Sequence, residues 1–476
     1  MTTVGRVLKN FFFLTLGEIL YRVAAVIFSV YLARTLGPSL FGTINWVAAI
    51  VAYLSIFINF GFNTLGVRMI STDPGKNKSL PGKIISIRLG LWLIGSLILT
   101  AFAFFGTRDF TIRWLIVLYC IATLPYSLFL EWWFQGIEKM EYIAIGKVLS
   151  GIVSTSLVIL LVKGPEQILL VPWAQFAGNG ILAFSMMITA IIIYKNMKLS
   201  FKKSDVISLL KKAAPFTGII IALQLFLNAD IILIGIMKDK TQVGYYNAAY
   251  KFVWLFVFIG GFFFQAIFPL IPQYYKENRE KLKMLLKKTG KIMLLLGIPI
   301  SLCMTIIAKP LILLVFGEEY APSIPILQVL IWNVLLIFVN NVYAWGLLGT
   351  GGEKVYFHIV VGQLGTNILL NILLIPKFGA IGASAATLAG EAVGLFFYMR
   401  EFSKVEKINL GDSILKPVIA SVLTAAFLYY LSGIPVYYTA PVAIVIYFAL
   451  IIAIKGITRD EINIIINSIK LKLNIK

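Results

Sequence analysis

The 476-residue sequence is poor in charge: Asp, Glu, Lys and Arg make up 13% of it, where a soluble domain carries about 25%. One histidine and two cysteines, Cys120 and Cys303, exclude a disulfide framework, a cysteine-rich zinc site and an iron–sulfur cluster. His358, with no identifiable Ser or Cys partner, is no basis for a hydrolase. No G-x-x-x-x-G-K-[S/T] pattern occurs, so ATP is not the expected drive. Acid is scarcer than base, 21 residues against 42, and the formal charge is +21. In a soluble protein that excess would point to nucleic acid.

What fills the sequence is hydrocarbon: 59% hydrophobic residues, 14% of the chain aromatic. A soluble fold is excluded. A spanning helix needs about 20 mostly apolar residues, because in a bilayer only a helix or a closed barrel satisfies every backbone group. Fourteen such runs occur, from 10–34 and 40–66 at one end to 415–432 and 436–456 at the other. The first is too long and too charged for a signal peptide, and is expected to be retained.

With the N-terminus in the cytoplasm, 31 of the 42 Lys and Arg fall in inner segments, eight in outer ones, and three inside spans. This asymmetry is the positive-inside rule, and it predicts a multi-pass plasma-membrane protein with both termini cytoplasmic and no role in nucleic-acid binding. The inner segments 195–213 and 272–291 are basic and suit anionic lipid. The tail from Arg459 sets Ile462, Ile465, Ile466, Ile469 and Leu473 at helical spacing, as in an interfacial helix. Short outer loops disfavour a membrane glycosyltransferase.

Gly136-Ile-Glu138-Lys139 follows the fourth run and Gly351-Gly-Glu353-Lys354 the tenth, each in a tight inner loop. Leu40-Phe41-Gly42 and Val243-Gly244-Tyr245 open the second and eighth. Six spans separate each pair, and six is even, so the two halves share one orientation, as in transporters with parallel repeats. The expected fold is all-α and polytopic, with two six-helix halves plus two extra C-terminal helices. Its parts are an N-terminal half (1–194), a basic cytoplasmic linker (195–213), a C-terminal half (214–400), two further helices (401–456) and an amphipathic cytoplasmic tail (457–476).

The runs Arg34-Thr-Leu-Gly37-Pro38-Ser-Leu-Phe41-Gly42, Gly61-Phe62 leading to Arg68, Phe134-Gln135-Gly136, and Pro376-Lys-Phe378-Gly379-Ala-Ile-Gly382-Ala-Ser-Ala-Ala386-Thr387 leading to Glu391 carry a family resemblance. In order and spacing they resemble the polysaccharide flippases of the multidrug/oligosaccharidyl-lipid/polysaccharide exporter superfamily. That resemblance implies a non-enzymatic flippase. It would carry a lipid-linked oligosaccharide, on a polyprenyl diphosphate or dolichyl carrier, from the cytoplasmic to the outer leaflet by alternating access. It also implies polysaccharide-synthesis machinery as a partner, a proton or sodium as a possible counter-ion, and no cofactor. Rival readings are a lipid II flippase of the same superfamily and a cation-coupled multidrug exporter.

A charge inside a span costs about 2.5–3.5 kcal/mol on insertion scales, so intramembrane charges are functional candidates. Arg22 lies near the middle of the first run, where its planar fork suits a diphosphate. Glu18, one turn earlier, offers instead an intrahelical ion pair. Asp230 and Lys251 stand at equal depth in the seventh and eighth runs, as a salt bridge or as a cavity-facing Lys held by its partner. Arg88 either snorkels or lines a cationic entrance. Glu391 is a proton-coupling candidate or a buried protonated acid. Glu131, in Glu131-Trp132-Trp133, reads as part of an aromatic belt.

Overall fold

The computed structural model describes residues 3–72, 79–194 and 203–456. The expected tail helix (457–476) and the first part of the basic linker (195–202) lie outside the described residues. Within them the fold is helical, with no strand. The helices divide into two compact units that part between Asn247 and Ala248.

The first unit holds α1 (Thr3–Asn59), α2 (Phe62–Thr72), α3 (Leu80–Gly106), α4 (Phe110–Ala122), α5 (Glu131–Gly136), α6 (Met140–Leu161), α7 (Val171–Tyr194), α8 (Lys203–Met237) and the opening turns of α9 (Lys240–Ile267). The second holds the rest of α9, α10 (Leu270–Glu277), α11 (Arg279–Phe316), α12 (Ser323–Leu330), α13 (Trp332–Gly349), α14 (Glu353–Phe402), α15 (Leu415–Tyr430) and α16 (Val436–Ala453).

Among the described residues eleven segments are long and apolar enough to cross a membrane. Two of them carry two spans each. α1 breaks at Gly37 (φ 70°, ψ 172°) just before Pro38, and α14 breaks at Gly379 (φ 58°, ψ −136°) just after Pro376. Proline denies the helix a donor and glycine accepts the positive φ, so both expected breaks are backbone chemistry. α8 supplies the span expected at 214–237, and the fourteen expected spans are thus accounted for.

The contact boundary at 247/248 differs from the division drawn from the repeat at 195–213. The opening of α8 belongs to the first unit: Asp205 pairs with Lys83 at 2.9 Å, and Leu209 and Ala213 join a core with Leu80, Ile84 and Phe62. Trp132 and Trp133 are in that core too, 0% and 1% exposed. They form no aromatic belt. Gly66 leaves the space for Trp132, since a Cβ there would stand 2.2 Å from the indole.

At the repeated Gly42 and Gly244 the helices meet backbone to backbone. A Cβ on Gly42 would lie 1.6 Å from the carbonyl oxygen of Lys240, and one on Gly244 would lie 2.1 Å from that of Pro38. Each glycine thus meets the carbonyl four residues before the other. Such reciprocity, residue i on j and j on i, is what a two-fold axis produces.

Candidate functional site

Glu18 is the centre of a charge cluster in the first unit. It pairs with Arg22 at 2.8 Å along α1 and with Lys147 of α6 at 3.0 Å, and Lys147 reaches Glu131 at 3.7 Å. The intrahelical pair expected from the spacing is present, and it extends into a chain of two cations and two anions. Alternation of sign offsets the cost that each charge alone would meet in hydrocarbon. Arg22 keeps 42% of its side chain exposed, against 21% for Glu18. Sequence reasoning missed Lys147 by counting it among inner-face cations. Its distance into the helix, seven residues past Met140, was the available signal.

Arg88 is enclosed, 2% exposed, and so does not snorkel. Its guanidinium donates to Asn59 Oδ1 at 2.9 Å, Asn63 Oδ1 at 2.8 Å and the Phe129 carbonyl at 2.9 Å. These acceptors flank two breaks in the backbone. Between Asn59 and Asn63 the chain passes through Phe60 (φ 40°) and Gly61 (φ 73°), and Phe129 lies in the turn before α5. Asn59 Oδ1 also accepts the Asn63 N–H, capping α2. A left-handed non-glycine residue such as Phe60 costs of order 1–3 kcal/mol and persists where its surroundings fix it. Arg88 supplies that fixing.

Asp230, 4% exposed, accepts a 2.6 Å hydrogen bond from the Tyr246 hydroxyl. Lys251 is half-buried in the second unit.

Glu391 sits in a buried polar relay of the second unit. Asn340 Nδ2 donates to its carboxylate at 2.6 Å and to its backbone carbonyl at 3.0 Å; Gln363 Nε2 approaches the same carboxylate at 3.4 Å. The Tyr398 hydroxyl in turn donates to Gln363 Oε1 at 3.2 Å. Close by in sequence, Asn371 donates to Asn367 and Asn367 to Thr387. Gln363, Asn367 and Asn371 recur every four residues on one face of α14, a polar stripe legible in the sequence but passed over by a search for charges alone.

The first unit also encloses a cleft of about 150 Å³ lined by Tyr21, Ala25, Phe28, Tyr126, Gly151, Ser154, Thr155, Gln175 and Asn179. None of these residues was singled out from sequence, because none is charged. Six of the nine residues have polar, uncharged side chains, a lining that suits water or a polar guest.

The described helices thus carry breaks within their spans, with ion pairs and polar relays inside them. The chain belongs to the polysaccharide biosynthesis protein family, which matches residues 7–275, and the MatE family matches residues 215–373. It is 26% identical over 372 residues to a protein of Escherichia coli (strain K12) described as a candidate O-antigen transporter, covering 76% of this chain and 88% of that one. To the capsular polysaccharide biosynthesis protein CapF of Staphylococcus aureus it is 23% identical, covering 83% and 100%. Among solved structures it superposes on the lipid II flippase MurJ in an inward closed conformation with a TM-score of 0.74, at 16% identity, covering 92% of this chain and 97% of that one. The fold is therefore the one that the MurJ structure shows, and the chain is a multi-pass membrane protein.

Proposed function

We propose that the protein moves a lipid-linked oligosaccharide from the cytoplasmic to the outer leaflet for surface-polysaccharide synthesis, by alternating access and without covalent chemistry. The observation that carries this reading is the similarity, over three quarters of the chain, to a protein described as a candidate O-antigen transporter. The Lys and Arg asymmetry supports cytoplasmic termini. Arg22 in the first unit, and separately Lys251 in the second, each offer a cation to a diphosphate on the carrier. Glu18 holds Arg22 in place and returns to it when the substrate leaves. Arg88, whose two terminal nitrogens donate to Asn59, Asn63 and Phe129, positions the α1–α2 break. Glu391 or Asp230 takes the counter-ion, a proton or sodium. Enzymes that build the sugar unit on its lipid are the partners that supply substrate.

Reconstitution tests this. Proteoliposomes should speed leaflet exchange of a lipid-linked oligosaccharide, with Arg22→Ala and Lys251→Ala each slowing it about tenfold, the loss of one charge-assisted contact. Normal exchange by both variants would remove the cations from the mechanism. Movement of lipid II or a cationic dye in place of the oligosaccharide would overturn the substrate assignment.

A further inference from the structure

We infer that the cleft between α1, α6 and α7 is a subsite for an uncharged sugar ring, separate from the cations that meet the diphosphate; this rests on the transport reading above. Six of its nine lining residues carry hydrogen-bonding side chains: Tyr21, Tyr126, Ser154, Thr155, Gln175 and Asn179. None is ionised, so the lining suits neither a phosphate nor a cationic drug. Side-chain amides and hydroxyls each present a donor and an acceptor, the mixture that a polyol presents in return. Tyr21, Phe28 and Tyr126 add apolar ring faces for the C–H side of a pyranose. On the scale where one water needs about 10–15 Å³, a space of about 150 Å³ exceeds what a single ordered water would use.

Position supports the same assignment. Tyr21 follows Glu18 by three residues on α1, and Gly151 follows Lys147 by four on α6, so the cleft begins one turn beyond the charge cluster on both helices. A headgroup whose diphosphate stands at the cluster brings its first sugar to the cleft. The Thr155 hydroxyl is already turned by its bond to the Ala24 carbonyl (3.0 Å), which leaves its oxygen as an acceptor. Gly178 keeps the wall open at Ser154, where a Cβ would fall 1.8 Å from the hydroxyl oxygen.

The test uses the full-length protein in proteoliposomes with two probes, polyprenyl diphosphate carrying one hexose and bare polyprenyl diphosphate. Asn179→Leu and Gln175→Leu should slow exchange of the glycosylated probe about tenfold and leave the bare one within about twofold. Ser154→Ala, which adds no volume, should lower the glycosylated rate alone and so guards against misfolding of the larger variants. Equal loss of both probes by all three variants, or loss of neither, would overturn the subsite while the transport reading stands. A wild-type protein that fails to move the glycosylated probe would overturn that reading and the subsite with it.

Discussion

Arg88 and Arg22 show how differently one residue type can serve inside a membrane. Both are charges in hydrocarbon by sequence, and nothing in composition separates them. Arg22 stands half-exposed against a carboxylate, whereas Arg88 is sealed among neutral oxygens. The difference comes from tertiary neighbours that lie 25, 29 and 41 residues away in sequence, beyond the reach of any local pattern. Replacing Arg88 by Met should remove three hydrogen bonds from the α1–α2 break and the turn before α5 and destabilise the protein by about 3 kcal/mol. A large fall in the thermal midpoint of the purified, substrate-free protein would register it. Arg88→Lys should recover only part, since an ammonium lacks the planar fork. A stable Arg88→Met protein that fails only in transport would return Arg88 to the substrate site.

Elements were legible where punctuation is local. Gly37-Pro38 and Pro376…Gly379 announced the breaks inside α1 and α14, and in both the glycine takes the positive φ. The repeated inner loops likewise each hold a left-handed residue, Glu138 (φ 58°) and Gly351 (φ 86°). Polar stripes and buried tryptophans were illegible, because burial depends on which face a neighbour covers. Glu131-Trp132-Trp133 looked like an interface and is core on two of its three residues. Helix crossings give a direct test. Gly42→Ala or Gly244→Ala should force backbones apart and cost about 1–3 kcal/mol or more, the usual range for overpacking. Gly90→Ala, with nothing within 4 Å of the new Cβ, should gain up to about 1 kcal/mol of helix propensity. Matched thermal shifts of the three proteins would check the contrast.

For the whole molecule, the Lys and Arg asymmetry of the sequence predicts that most of the basic residues mark one side of the membrane. In a background with Cys120 and Cys303 replaced by alanine, a cysteine at Arg108 should react with an impermeant maleimide in intact cells. One at Lys407 should react only after permeabilisation. The reverse pattern would invert the topology. Fold and family followed from hydropathy and the order of turn motifs, while the neutral cleft needed coordinates, since uncharged polar residues on three helices share no sequence signature. The reciprocal contact at Gly42 and Gly244 reaches further. In a symmetric pair of identical chains any substitution at such a contact is inherited by both faces at once. Joined in one chain, the faces are free to differ: Lys240 stands where the mate has Pro38, and its ammonium lies 3.4 Å over the ring of Trp46. A substitution at Lys240 therefore alters one face of the contact and leaves the other as it is.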